Sequence, residues 1–138
     1  MLDNNRYVTF TLGGMLFEYD EEKNQKNIKN HGISFKSAAR VFFDYDRIEY
    51  YDEKHSDDEE RFDTIGDLSA GNVGLKAIEG DMVIGNVGNL FQDEEDVLFV
   101  VYTERVYITK DDKENEVIRL ISARYATNFE RGLYYGKC

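Results

Sequence analysis

The segment Val97-Leu98-Phe99-Val100-Val101-Tyr102-Thr103 is the most hydrophobic run in the chain, and it predicts a buried strand. Its β-branched and aromatic side chains fit a pleated surface, and a run with so little polar alternation needs cover on both faces. Charged clusters bound it, Asp93-Glu94-Glu95-Asp96 before and Glu104-Arg105 after. A central strand this short demands partner strands, and the remaining sequence supplies them.

Residues 6–12 and 15–19 read as strands around Gly13-Gly14, a hairpin dipeptide. Asp20 then caps a helix with Glu21 and Glu22 in its first turn, and Gly32 ends it after His31. That helix is nearly all polar, with Ile28 its single strong apolar residue, and is expected on the surface. Ser34 caps a second helix whose Phe35, Ala38, Ala39 and Phe42 form a core-facing stripe. Strands are expected at 47–51 and 61–65, joined by an acidic loop carrying His55. Residues 105–109 and 117–123 read as a further hairpin, and Thr127 with Glu130 forms a capping box that opens a short C-terminal helix. Between Gly66 and Val97 the tetrad Gly-Asn-Val-Gly occurs at 71–74 and again at 85–88, and the segment 67–96 is read as an inserted glycine-rich β-arm.

With 138 residues the chain is expected to be a single domain with one core. One cysteine, the terminal Cys138, leaves no internal disulfide and suits a reducing compartment. The expectation is a soluble, cytoplasmic protein with no membrane association, since no apolar run reaches the roughly 20 residues of a membrane span. The formal net charge is -11, unevenly spread. Residues 41–116 hold seven basic and 22 acidic side chains, while residues 117–138 hold four basic and one acidic. At physiological salt, exposed charges farther apart than about 8 Å are largely screened, so a basic face at the chain's two ends is compatible with an acidic sum.

The two histidines, His31 and His55, fall on separate elements without metal-ligand spacing, and the acidic clusters lack the order of a calcium loop. No metal site or other cofactor is expected, and no Ser-His-Asp or cysteine nucleophile stands out. What remains is a set of Arg, His and Glu side chains on strands and loops. Such a set permits RNA cleavage: one group takes the 2′-hydroxyl proton, another protonates the leaving oxygen, and guanidinium groups hold the phosphorus oxygens.

The order of short motifs narrows this further. Phe17-Glu18-Tyr19-Asp20, Lys23-Asn24, Asn27, His31-Gly32, Ser34-Phe35 and Ala38-Ala39 are followed by Asp52-Glu53, His55-Ser56, Glu59-Glu60-Arg61 and Ile65-Gly66. Tyr102-Thr103-Glu104-Arg105, Ile121-Ser122-Ala123-Arg124 and Glu130-Arg131 complete the series. In this order the chain resembles the BrnT-type toxins of bacterial toxin–antitoxin pairs. The resemblance implies a RelE-like α+β fold: an antiparallel sheet, two N-terminal helices and a short C-terminal helix, here with the β-arm inserted. It also implies a metal-independent endoribonuclease that inhibits translation. A ribbon-helix-helix antitoxin would neutralise it, and such pairs assemble as heterotetramers. On that basis the catalytic candidates are His55, Glu60, Arg61, Glu104, Arg105 and Arg124. Lys23, Tyr102 and Arg119 are the candidates for RNA binding. The acidic middle of the chain supports a competing expectation, a catalytically inactive interaction module on the same fold that binds a basic partner.

Overall fold

The computed structural model describes residues 6–56, 58–79 and 96–136. Strand β1 (Tyr7–Leu12) and β2 (Met15–Asp20) form the expected hairpin. Gly13 and Gly14 turn it with φ of 57° and 82°, a left-handed pair that glycine adopts at low cost. Helix α1 (Glu21–His31) begins where the Asp20 carboxylate accepts the N–H groups of Glu22 and Lys23. It ends at Gly32, with φ 72°. Helix α2 (Phe35–Ala38) starts under the Ser34 hydroxyl and passes directly into a 3₁₀ segment, Ala39–Phe43. The second helix is thus tighter than the stripe implied, though Phe35, Ala38, Ala39 and Phe42 are all buried.

Strands β3 (Ile48–Tyr51) and β4 (Phe62–Asp67) follow, then helix α3 (Leu68–Glu79), β5 (Val97–Ile108), β6 (Glu114–Tyr125) and helix α4 (Asn128–Tyr135). The six strands form one sheet in the order β1-β2-β6-β5-β4-β3. Its pairs are antiparallel except β2 with β6, which run parallel, so the sheet is mixed where a purely antiparallel one was expected. The crossover from β2 through the helices makes that parallel pairing possible. Strand β5 sits inside the sheet as its apolar run demands. It does not stop at Thr103 but continues unbroken through Arg105 to Ile108, so two expected strands are one.

Two apolar clusters sit on opposite faces of the sheet. Alternation puts Leu98, Val100 and Tyr102 on one face with Phe17, Tyr19, Leu120 and Ala123, packed under Phe35, Val41 and Phe42. The other face carries Val97, Phe99 and Ile65 beneath Tyr134 of α4. Buried Asp44 ties these layers together, accepting from the Tyr134 hydroxyl at 2.6 Å and from the Asp67 N–H at 2.9 Å.

The glycine-rich segment departs most from expectation. Its first half is helix α3, capped by Asp67, whose carboxylate accepts from Ser69 and Ala70. A Cβ on Gly71 would lie 2.1 Å from the Arg40 carbonyl, and one on Gly74 would lie 2.0 Å from the Phe43 carbonyl. The first Gly-Asn-Val-Gly is therefore a close-packing face against the 3₁₀ segment and not a strand turn. The second copy, at 85–88, and Cys138 lie outside the described residues.

Candidate active site

The second face of the sheet is open beyond α4. Register fixes what it carries: Arg124 pairs with Phe99, Arg119 with Thr103, Val117 with Arg105 and Asp63 with Val101. Paired residues share a face, so Asp63 of β4, Arg105 of β5 and Arg119 and Arg124 of β6 stand on the same side of the sheet. Residues 52–56 and 58–61 run along the edge of this face. The loop is closed by the Asp52 N–H on the Arg61 carbonyl at 2.8 Å and by the Arg61 N–H on the Ser56 hydroxyl at 3.0 Å. Thr103 of β5 donates its hydroxyl to the Glu60 carbonyl at 2.5 Å, which pins the loop's end to the central strand.

This docking brings Arg61 and Arg105 to one carboxylate. Glu59 lies 2.8 Å from the Arg105 guanidinium and 3.7 Å from that of Arg61. Both guanidinium groups keep about a third of their side-chain surface in solvent, 38% for Arg105 and 33% for Arg61. His55, Arg61 and Glu59 line one side of a shallow cleft whose continuation is lined by Glu60, Thr103 and Arg105. Of the catalytic candidates, His55, Glu60, Arg61, Glu104 and Arg105 thus border one cleft.

His55 is held by Asp52. Its Nδ1 lies 3.0 and 3.2 Å from the two Asp52 oxygens, while the side chain stays 65% exposed. With Nδ1 engaged by a carboxylate, the ring presents Nε2 to solvent, the arrangement in which imidazole serves as a proton carrier. Burial works to raise the Asp52 carboxyl, but hydrogen bonds from His55 and from Asp63 hold it below the ordinary carboxylate range. Asp63 behaves oppositely. Burial first, then its hydrogen bond with Asp52 and the charge of Asp52, push it up to about 7. Asp63 was absent from the candidates because an acidic residue at an alternating strand position looks like an ordinary solvent-facing side chain. Its only sequence signal is that the opposite cross-strand neighbour, Val101, belongs to the most apolar run.

The other candidates are placed differently. Arg124 makes a two-pronged pair with Glu130, at 2.8 and 3.0 Å, and lies 4.3 Å over the Phe99 ring. The same Glu130 accepts the Thr127 N–H to complete the capping box, so Arg124 also anchors the start of α4. Arg119 is bound to Glu18 at 2.6 Å and to the Tyr107 hydroxyl at 3.1 Å, with the Tyr7 ring 4.4 Å away. Its side chain is only 19% exposed, and those partners occupy it. Glu104 pairs with Ile118 and leaves the strand on the opposite side from Arg105, yet it still lines the rim of the cleft beside Glu60. Tyr102 is packed between Phe42 and Phe62, at ring separations of 4.9 and 5.5 Å, leaving no ring face for a base. Lys23 is exposed on α1, apart from the cleft. Among the described residues no three His, Cys, Asp or Glu side chains gather as a metal site.

A family model described as the ribonuclease toxin, BrnT, of type II toxin–antitoxin systems matches residues 19–76. That segment of the chain is BrnT-like. The BrnT match runs from the end of β2 into α3 and includes Lys23, Asp52, His55, Glu60, Arg61 and Asp63. Arg105, Arg119 and Arg124 lie outside it, on the two long strands that complete the face. No curated protein matches the chain. No helix among the described residues is long and apolar enough to cross a membrane.

Proposed function

We propose that this protein is the toxin of a type II toxin–antitoxin pair, a metal-independent endoribonuclease that inhibits translation and is neutralised by a ribbon-helix-helix antitoxin. The observation that carries the reading is the meeting of Arg61 and Arg105 on the single carboxylate of Glu59, beside an imidazole oriented by Asp52. Two guanidinium groups around one anion form a cradle for a phosphodiester, whose charge Glu59 now imitates. A phosphate seated there displaces Glu59 and takes both arginines. His55 Nε2 accepts the 2′-hydroxyl proton as that oxygen attacks phosphorus. The exposed Glu60 carboxyl, on the same cleft, relays a proton taken up from solvent to the leaving 5′-oxygen. As negative charge builds on the phosphorus oxygens, Arg61 and Arg105 hold it. Lys23 serves as a remote steering charge, and Arg124 supports the face by fixing α4.

The test is cleavage of RNA by antitoxin-free protein in excess chelator. Products ending in 2′,3′-cyclic phosphate are expected, with Arg105→Ala lowering the rate by about 100-fold or more while leaving the fold intact. RNA that stays whole in the presence of folded wild-type protein refutes the assignment.

A second reading, the inactive interaction module, is favoured by one observation: each arginine on this face already has a carboxylate partner among the described residues. The pairs at Arg61, Arg105 and Arg124 are partly solvent-exposed, however, and such pairs are worth about 0–1 kcal/mol, which a phosphodiester can outbid. The cleavage assay separates the two readings.

A further inference from the structure

We propose that Asp63 is a positioning residue for His55, sharing a proton with Asp52 so that a carboxyl, a carboxylate and an imidazole act as one unit. The proposal deepens the ribonuclease reading for its functional consequence, but the unit itself stands on geometry. No donor reaches the buried Oδ1 of Asp63. In the β3–β4 ladder Asp63 stands opposite Tyr50, and the Asp52 N–H bonds the Arg61 carbonyl, so Asp52 and Asp63 are diagonal neighbours on one face, carboxyl beside carboxyl. Two neighbouring carboxyls, one with a buried oxygen that no donor reaches, favour the state in which a single proton is kept between them. Asp52 in turn spends its oxygens on His55 Nδ1, and its backbone N–H is fixed to Arg61, two residues before Asp63. The loop and β4 are thereby locked in the relative position that the shared proton requires.

The groups facing Asp63 come from every neighbouring element. Asp52 and His55 lie on the loop, Glu130 on α4 and Arg124 on β6, while Tyr50 of β3 and Val101 of β5 flank it across the strands. Arg124 is spent on Glu130, which leaves the shared proton and the His55 ring as the groups that neutralise the Asp52–Asp63 pair. While Asp63 keeps its proton, Asp52 presents one negative charge to the imidazole. Once Asp63 ionises, two carboxylates face the ring and favour the imidazolium, a form that cannot accept the 2′-hydroxyl proton. Protonated Asp63 therefore keeps His55 ready to act as a base. The proton is not transferred to substrate; it stays within the pair.

The test uses full-length protein carrying ¹³C-labelled aspartate carboxyls, with the Asp63 signal identified by its absence in Asp63→Asn. Asp63 is expected to titrate near neutrality in the native protein. It should fall by at least about one pH unit in Asp52→Asn, because a neutral amide removes the facing charge. In His55→Gln it should rise, because the positive imidazolium is lost. An Asp63 signal titrating in the ordinary carboxylate range near 4 overturns the proposal. So does indifference of the Asp63 midpoint to both substitutions. In the cleavage assay, the pH–rate profile of wild-type protein should carry an inflection that Asp63→Asn removes, whereas a merely structural role would scale the rate and leave the profile's shape. Absence of cleavage in every variant would count against the ribonuclease assignment, and the carboxyl titrations would still decide the role of Asp63.

Discussion

Glu59 occupies the place a phosphate would take, and its removal is informative for that reason. Glu59→Gln leaves an amide of the same shape and frees Arg61 and Arg105 from their common carboxylate. An exposed pair is worth at most about 1 kcal/mol, so affinity for a labelled oligoribonucleotide should rise by up to about fivefold, read by fluorescence anisotropy. A fall in affinity would mean that Glu59 organises the arginines and does not compete for them. Asp63 gives a prediction of opposite character. Its carboxyl is raised in the folded state to about 7, so the native protein binds this proton more tightly than the unfolded chain does. The stability this lends is complete below pH ~4 and is lost as pH rises through 7. Asp63→Asn should therefore be more stable than wild type at pH 8, by on the order of 1–2 kcal/mol after solvent screening, and should lose that advantage below pH 4. Denaturant titrations at the two pH values check the sign. At this scale the sequence was half legible. His55, Glu60 and Arg61 are adjacent in the chain, so a motif can mark them, and Arg105 follows a recognisable strand. Tyr102 lies three residues before that same arginine, but pleating sends it into the core on the other face. The importance of Asp63 depends on a partner eleven positions away and on burial, neither of which a residue type reveals.

Elements defined by caps were the easiest to read. Asp20, Ser34 and the Thr127–Glu130 box sit where their helices begin, because a helix start needs its N–H groups satisfied locally. Elements defined by packing were harder. Helix α1 holds to its surroundings not through Ile28, which is exposed, but through two buried asparagines: Asn24 accepts the Phe35 N–H at the start of α2, and Asn27 binds the sheet. Asn27 donates to the Ile33 and Ala123 carbonyls at 2.9 and 2.8 Å and accepts the Ala123 N–H at 3.2 Å. Strand β2 pairs with β6 only as far as Leu120, so the Asn27 amide takes over the exposed edge of β6 at Ala123. Asn27→Ala should cost about 2–4 kcal/mol, since it strands buried backbone groups in the sheet and at the α1–α2 turn. Glycine in α3 misled the reading because the same residue serves turns and close contacts. Gly71→Ala should destabilise by about 3 kcal/mol or more, the methyl having only the Arg40 backbone to push against. Gly132→Ala, in open space on α4, is the control: its added Cβ meets nothing, so stability should hold or rise. Equal losses at the two positions, measured by thermal unfolding, would contradict the packing role of α3.

Across the whole molecule the question is how an acidic chain of net charge -11 approaches a polyanion. The excess charge was visible in the sequence, but its pairing was not. Glu18, Glu59 and Glu130 are spent on arginines of one face, whereas Asp111 and Asp112 of the β5–β6 turn and Glu114 at the start of β6 are exposed, Asp111 in a loose 3.9 Å pair with Lys113. Pairing makes the arginine face short-ranged, since a charge and its partner cancel within a few ångströms, and leaves the exposed acids, in excess over their neighbouring lysines, to set the distant field. RNA should accordingly be repelled on approach and held only on contact. Basic nucleic-acid binders associate more slowly as salt is added. This protein should do the reverse at first, associating faster as salt screens the repulsion up to about 0.15 M, where the screening length is about 8 Å. Beyond that, loss of the phosphate contacts should weaken binding in the usual direction. Replacing Asp111 and Asp112 by Asn and Glu114 by Gln tests the cause. Asp112 has φ 63°, a left-handed conformation that Asn also tolerates, so the turn survives the change. Stopped-flow mixing with a labelled oligoribonucleotide should show the association rate constant rising several-fold at low salt and little at 0.5 M, with dissociation unaltered. A change confined to dissociation would instead put the turn in contact with RNA, and the separation between a repulsive periphery and a gripping face would have to be given up.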